Sequence, residues 1–303
     1  MAVTLLCGAA GSGKSTYARS LEAAGWLRLC FDVETWRRGV RELPAPPGIA
    51  AQIEDDLQRQ LVEAVSAGRD VVLDLSFSTR DLRDAYRALV AGLGVRAETV
   101  FLPVEGSTAV ERVRRRRNSG PDDYRLTDEA VVAHVEGFEA PTFAEHPLRV
   151  VDGEVVLRHA RDDEARALLE FWARSAENAS RPQDSQVAVE RLLARDPASV
   201  LVAELDDRIA GTVIAGWDGW RAHLYRLAVG PEARGLGIAR RLLGHAEGRL
   251  RALGATRLDA MVLDGNDVGA AVWLSAGYVP QGEWSRWVKP VDPPPTPGGA
   301  TVE

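Results

Sequence analysis

Lysine is almost missing from this chain. Of 37 basic residues only Lys14 and Lys289 are lysines, so a lysine inside a motif is not background. Cysteine is equally scarce: Cys7 and Cys30 lie in or beside apolar runs without CxxC spacing, which points to two reduced, buried thiols rather than a disulfide or a metal site. No apolar run reaches membrane-spanning length, and the N-terminus is expected to enter a first strand directly, with no signal peptide. A cytoplasmic protein with no membrane partner is therefore expected. Positive charge is also in deficit. The net charge is −7, with 19 basic against 23 acidic residues up to position 153 and 18 against 21 beyond it. An acidic chain of pI near 5.4 has no general footprint for nucleic acid. Nucleic acid stays a possible but not favoured partner, through the local basic run Arg114 to Arg117.

What is present describes an ordinary globular protein, 303 residues at 46% hydrophobic and 27% charged, long enough for two domains with real cores. Residues 8 to 15, Gly-Ala-Ala-Gly-Ser-Gly-Lys-Ser, fit the phosphate-cradling pattern GxxxxGK(S/T) between an apolar run, Val3 to Cys7, and an expected helix, Thr16 to Ala24. Glycine at Gly8, Gly11 and Gly13 lets backbone N–H groups wrap a phosphate, and the helix start adds unpaired donors and a positive dipole end. Ser12 and Thr16 complete this nucleotide-binding stretch. Lys14 is expected on the β- and γ-phosphates of ATP and Ser15 on Mg²⁺.

Two further strands are expected at Leu27 to Phe31 and Asp70 to Leu75. Ligands of open parallel sheets bind outside the carboxyl ends of the strands, so Asp32 and Asp74 converge on the same site as the loop. Asp32 is then placed to take a proton from an attacking hydroxyl, and Asp74 to hold Mg²⁺ through water. The alternative for either is to cap the following helix. A helix at Thr79 to Leu93 carries Arg80 and Arg83, a strand follows at Ala97 to Leu102, and a helix from Thr108 ends in the arginine run. Mobile arginines closing on a transferring phosphoryl group supply compensating charge. The other reading is a solvated helix end that offsets the dipole.

Gly8 to Ser15, Asp32 with Arg37 and Arg38, Val71 to Arg80 and the Arg112 to Asn118 segment resemble the AAA_33-type P-loop kinases, a group with chloramphenicol phosphotransferase, zeta toxin and polynucleotide kinase relatives. The resemblance covers about 145 residues. It implies a P-loop NTPase domain, a parallel sheet with helices on both faces, that phosphorylates a hydroxyl with Asp32 as base and Arg112 and Arg116 as lid arginines.

Asp152-Gly153 is a turn signal, after which the periodicity restarts. Residues 1–153 and 154–290 are read as the two domains, with 291–303 a disordered tail. A strand is expected at Val155 to His159, helices at Asp162 to Ser175 and Gln186 to Arg195, and strands at Val200 to Leu205 and Ile209 to Trp217, joined by a tight turn at Asp206-Asp207-Arg208. Leu224 to Val229 then runs into Gly-Pro-Glu-Ala-Arg-Gly-Leu-Gly-Ile-Ala, residues 230 to 239, which opens a long helix. Arg234, Gly235, Gly237 and Ala239 fit (R/Q)xxGx(G/A), again with backbone donors at a helix start. A strand at Arg257 to Leu263, then Asn266, Gly277 and Tyr278, complete the ensemble.

Residues 155 to 289 resemble the GNAT acetyltransferases, and Ser180 to Pro182, Asp196-Pro197, Leu201 to Glu204 and Ala210 to Gly219 resemble their YpeA-like bacterial branch. This implies an α/β domain with a mixed sheet. Residues 234 to 239, Ile238 included, would cradle the pyrophosphate of acetyl-CoA, Leu227 and Val229 would hold the pantetheine arm, and Asn266 would orient the thioester. Trp273 stands at the cofactor where many relatives have an acidic tyrosine, and an indole N–H is not a usable acid. Tyr278, Tyr225 or water would substitute, or the thiolate leaves unaided. His223 stands where relatives often place a glutamate base, and its ordinary pKa near 6.5 suits that task. A structural histidine is the other reading, and Glu283 the other candidate base. Trp217, Trp220, Trp273, Trp284 and Trp287 are read first as packing residues.

The expectation is a bifunctional enzyme that phosphorylates a hydroxyl and acetylates an amine on small molecules, metabolites or antibiotics. The rivals are a polynucleotide 5′-hydroxyl kinase with an accessory acetyltransferase, a kinase gated by a noncatalytic acetyl-CoA sensor, and a regulatory ATPase.

Overall fold

The computed structural model of the protein describes residues 1–41, 45–116, 124, 126–176, 184–283, 285 and 287–289. Arg117, Asn118, Ser180 to Pro182, Trp284 and the expected tail at 291–303 lie outside the described residues.

The first half runs β1 (Val3–Cys7), α1 (Lys14–Ala23), β2 (Leu27–Cys30), α2 (Phe31–Arg37), α3 (Pro47–Ser66), β3 (Val71–Asp74), α4 (Arg80–Ala91), β4 (Ala97–Phe101), α5 (Gly106–Arg116), α6 (Asp128–Glu136) and β5 (Leu148–Asp152). The second runs β6 (Val155–His159), α7 (Ala165–Ser175), α8 (Gln186–Arg195), β7 (Val200–Leu205), β8 (Arg208–Trp217), β9 (Ala222–Val229), a 3₁₀ turn (Pro231–Ala233), α9 (Ile238–Ala252), β10 (Leu258–Ala260) and α10 (Asp267–Ser275).

All ten strands form one sheet, in the order β10-β9-β8-β7-β6-β5-β4-β1-β3-β2. From β2 to β5 every pairing is parallel. From β5 to β9 every pairing is antiparallel, and β10 returns parallel to β9. This is the expected α/β architecture, a parallel half followed by a mixed half. The sheet crosses the expected 153/154 boundary without a break, because Asp152 pairs with Val155 around the Asp152-Gly153 turn. Two compact units result, Met1–Leu263 and Asp264–Glu303, and the second holds α10. No helix among the described residues is long and apolar enough to cross a membrane.

Local chemistry explains the main elements. β1 is buried at every position, as a central parallel strand covered on both faces must be. Asp206 and Asp207 both adopt positive φ, 51° and 57°, which a two-residue hairpin turn between β7 and β8 requires. Thr79, Thr127 and Ser185 each accept a hydrogen bond from a first-turn N–H and so cap α4, α6 and α8. Sequence reading passed over α3, a 20-residue helix begun by proline whose stripe Ile53, Leu57, Leu61, Ala64 and Val65 is buried. Two expectations are shortened. The last strand stops at Ala260 because its pairing with β9 stops at Leu224, leaving Met261, Val262 and Leu263 exposed. The helix expected from Asp162 begins at Ala165, and Glu164 before it binds Arg158 and the Arg161 N–H.

A histidine-rich seam lies where the halves of the sheet join. The His159 ring sits 4.7 Å from that of Phe143 and 4.5 Å from that of His146, and His245 of α9 approaches Phe143 at 5.2 Å. His159 Nδ1 accepts from the Leu148 N–H, so Nε2 carries the proton and donates to the Phe143 carbonyl at 3.0 Å.

Burial, with His146 beside it, pushes His159 down to about 3, and burial also lowers His146 and His245. An unfolded chain regains the ordinary value of 6.5 and binds protons the folded one refuses. Stability is therefore full above pH 6.5 and falls as pH drops toward 3, by about 1.4 kcal/mol per pH unit for His159 alone. Urea unfolding near pH 7.5 and near pH 5 should show this loss, with a shallower slope in His159→Gln. An unfolding midpoint independent of pH over that range would contradict it.

Candidate functional sites

The first site is built where β1, β3 and β2 end side by side. The Gly8 N–H donates to the Ser76 carbonyl, which ties the loop after β1 to the chain leaving β3. Gly11 adopts φ +78°, and a Cβ there would stand 2.7 Å from the Ala109 carbonyl oxygen, so no other residue fits. The loop delivers α1 with Gly13 as its N-cap and no side chain capping it. Ser12 Oγ is buried with no hydrogen-bond partner. An uncapped helix start, an orphaned hydroxyl and a lysine side chain together fit a phosphate group.

Lys14 Nζ donates to the Ala9 carbonyl at 3.0 Å. Burial lowers its pKa from the ordinary value while the carboxylates of Asp74 and Asp32 act against that shift, so the three charges share one site. Neither aspartate caps a helix: α4 is capped by Thr79, and α2 has no side-chain cap at all. Asp32 lies in the first turn of α2, where Tyr124 Oη donates to its carbonyl. Asp74 is buried, and its Oδ2 accepts from Arg28 Nε at 3.0 Å and Nη2 at 2.5 Å. Among the described residues no three His, Cys, Asp or Glu side chains cluster to hold a metal. A magnesium ion bound mainly by phosphates and water needs only one or two protein ligands, a number that Ser15 and Asp74 meet.

Arg112 of α5 reaches the loop itself, its Nη1 donating to the carbonyls of Gly11 and Ser12. The rest of the arginine run divides. Arg114 pairs with Asp128 and Arg115 with Glu111, both exposed, while Arg116 ends α5 half-buried. Arg80 pairs with Asp84 at the surface, whereas Arg83 is fully buried against Glu145. Sequence reasoning missed Arg28, Tyr124 and His134. His134 Nδ1 accepts the Ala10 N–H of the loop, and burial and Lys14 hold its pKa low, which keeps it a neutral acceptor. Its position in the helix after the arginine run gave no signal, because its partner is 124 residues away.

The second site lies along β9. Thr212 pairs with Ala228 and Ile214 with Tyr225, so Arg226 and Leu227 together face Val213 in a β-bulge, with Arg226 at φ +48°. On its other edge β9 pairs with β10 only from Ala222 to Leu224, and beyond the bulge the backbone from Leu227 to Val229 has no strand partner there among the described residues. Beyond Val229 the chain turns through Pro231–Ala233 into α9. Arg234, Gly235, Leu236 and Gly237 are exposed, Gly237 at φ +72° is the N-cap, and no side chain caps the helix. Ile238 is buried beneath and Ala239 half-buried. An extended ligand with an anionic end fits an open strand edge leading to an uncapped helix.

His223 is half-buried on β9, its ring 5.9 Å from that of Tyr225 two residues on. In the unit Asp264–Glu303, Asn266 Oδ1 accepts the Gly269 N–H and caps α10, a role sequence reading did not assign to it. Trp273 is buried and packs edge-on against Tyr278 at 4.9 Å, with Glu283 exposed.

Residues 3–141 match the AAA_33 model, an AAA domain, and residues 159–278 match the model of the Acetyltransferase (GNAT) family. Among curated proteins, Acetyltransferase ECA0875 of Pectobacterium atrosepticum (strain SCRI 1043) is 38% identical over 123 residues, 40% of this chain and 86% of that protein. Among solved structures, yncA of Salmonella typhimurium, a putative acetyltransferase with its cofactor acetyl-CoA, is 19% identical over 41% of this chain and 78% of its own, with a TM-score of 0.36. A chain of the Pnkp1/Rnl/Hen1 RNA repair complex is 22% identical over 45% of this chain and 43% of its own, with a TM-score of 0.38.

Gly11→Val should weaken binding of ATP by roughly a hundredfold or more, since both the close approach and the positive φ are lost, while leaving acetyl-CoA affinity within about twofold. Gly237→Trp should do the reverse. Calorimetric titration of each variant with each ligand checks this, and a variant that loses both ligands equally would show that the sites are not separate.

Proposed function

This chain belongs to the Acetyltransferase (GNAT) family through residues 159–278 and carries an AAA domain in residues 3–141, and from that premise we propose that this transferase is bifunctional. The first half phosphorylates a hydroxyl and the second acetylates an amine. One observation carries the reading: each half leads a strand through a glycine loop to a helix start that no side chain caps, α1 with a lysine and α9 without. These are two phosphate sites of different kinds. A lysine point charge suits a γ-phosphate in transfer, whereas backbone donors alone suit a pyrophosphate that is only held.

In the first half, residues 8 to 15 hold the phosphates of ATP, with Mg²⁺ at Ser15 and Asp74. Asp32 takes the proton from the acceptor hydroxyl, and Arg112 and Arg116 offset the charge that develops. Arg28, bonded to Asp74 Oδ2 through Nε and Nη2, orients that carboxylate. In the second half, bound acetyl-CoA supplies the acyl group. Leu227 and Val229 hold its arm through their backbone, and residues 234 to 239 hold its pyrophosphate. Asn266 caps α10 through its Oδ1. His223 takes the proton of the attacking amine. The indole of Trp273 offers no usable acid, and Tyr225 or water protonates the thiolate. Small molecules are favoured as acceptors over nucleic acid, because two arginines of the basic run are already paired with acids.

A second reading rests on α9. Arg241 in its first turns donates to the Asp152 carbonyl of β5, and His245 meets Phe143, so the acetyl-CoA helix touches the first half directly. Under that reading acetyl-CoA gates the kinase and is not consumed.

Mass spectrometry of a metabolite and antibiotic library, with 5′-hydroxyl oligonucleotides included, incubated with Mg-ATP and acetyl-CoA tests both. A phosphoryl gain lost in Lys14→Ala, together with an acetyl gain lost in Gly237→Trp, is the expected outcome. No gain in either channel while both ligands bind would overturn the bifunctional reading, and ATP turnover that responds to unconsumed acetyl-CoA would favour the gate.

A further inference from the structure

The bulge in β9 is held in place by buried side chains of β8 and α7. A bulge opposite Val213 competes with a flat ladder, and a one-residue slip would turn every later residue of β9 to the opposite face. Arg226 also occupies a left-handed conformation that is unfavourable for a non-glycine residue, so something must hold it there.

The Thr212 hydroxyl donates to the Arg226 carbonyl at 3.0 Å, in place of a ladder N–H. That hydroxyl accepts in turn from Trp172 Nε1 of α7 at 2.9 Å. Thr212 and Trp172 are buried, so water cannot replace either bond. The same indole ring lies under the Arg226 guanidinium, 5.5 Å from its carbon to the ring centroid, and the guanidinium pairs with Asp184. Trp172 therefore engages both the side chain and, through Thr212, the backbone of the one strained residue. Leu227 comes next, at the start of the open edge where the acyl-carrying arm is expected.

The structure assigns Thr212 and Trp172 as positioning residues for acetyl-CoA: they lock the β9 bulge and so fix the direction in which the Leu227 backbone is presented to the pantetheine and thioester end. This rests on the acetyl-CoA reading of the second half. The pair acts on the arm and not on the pyrophosphate, because residues 234 to 239 lie beyond the bulge on a separate turn with its own hydrogen bonds, Gly230 N–H to the Ala210 carbonyl among them.

The test is calorimetric titration of the full chain with acetyl-CoA and with adenosine 3′,5′-bisphosphate, a probe that lacks the arm. Thr212→Val keeps the volume and deletes the hydroxyl. It should weaken acetyl-CoA about tenfold, the scale of one buried hydrogen bond, and leave the bisphosphate within about twofold. Thr212→Ser should behave as wild type. Trp172→Phe, which keeps the ring and removes the donor, should weaken acetyl-CoA in the same selective way and serves if Thr212→Val does not fold. Unchanged acetyl-CoA affinity in a folded Thr212→Val or Trp172→Phe, or equal loss of both ligands, overturns the assignment while the family reading stands. A wild-type protein that binds neither ligand overturns the acetyl-CoA reading and this inference with it.

Discussion

The first half depends on one buried ion pair. Glu145 accepts from Arg83 Nε at 2.8 Å and Nη2 at 2.9 Å, and again from Arg87 at 2.9 Å. Arg83 spends a third donor on two carbonyls, Phe77 and Glu139. Burial alone would raise the Glu145 pKa, and the two arginines outweigh it and hold the carboxyl below its usual range. Removing Glu145 would leave the fully buried Arg83 without a carboxylate, at a cost of about 3–5 kcal/mol. The pair also sets what lies on either side. It fixes Phe77, at φ +47°, one residue after the Ser76 carbonyl that receives the Gly8 N–H, so the phosphate loop is anchored through it. Two residues before Glu145, Phe143 meets His159 and His245 of the other half.

The near-absence of lysine takes on a structural meaning here. The buried cations among the described residues, Arg83, Arg158, Arg226 and Arg249, are all arginines, and each meets a carboxylate. A guanidinium stays charged when buried and offers a planar fork, which suits permanent, bidentate packing. An ammonium shifts its pKa when buried, as Lys14 does, and suits a site that must remain responsive. The fold assigns its permanent ion pairs to arginine, and its one described half-buried lysine stands among phosphate-binding elements.

Local features were the legible ones. The phosphate loop, the Asp206-Asp207 hairpin and the turn into α9 are each encoded within about ten residues, where glycine and aspartate declare the backbone they need. Of the expected site residues, Lys14, Asp32, Asp74 and Arg112 gather at one end of the parallel strands. The Arg28 bond to Asp74, the His134 contact to the loop and the Arg83–Glu145 pair were not legible, because their partners lie 46, 124 and 62 residues apart. The β9 bulge hides for a different reason: Arg226 reads as an ordinary polar residue of an alternating strand, and only Thr212 across the ladder reveals the extra residue. The continuity of the sheet was hidden too, since a turn at Asp152-Gly153 is compatible with a hinge or with a hairpin, and only the register decides.

That hairpin constrains how the two sites can communicate. Because β5 and β6 belong to one ladder, the halves cannot rotate as bodies about Gly153 without breaking the pairs from Arg149–Arg158 to Asp152–Val155. The seam cannot act as a proton switch near neutral pH either. His159 is fixed as a neutral tautomer between Leu148 and Phe143, and with its pKa at about 3 it stays uncharged until strongly acidic conditions. What remains are the contacts that α9 makes with β5 and Phe143. A shift of α9 on closing around a pyrophosphate would press on Phe143, two residues from Glu145, and reach the loop through Arg83 and Phe77. Were the two proposed sites coupled, the coupling would have to run through packing and hydrogen bonds at the foot of α9, by small displacements instead of a rotation about Gly153.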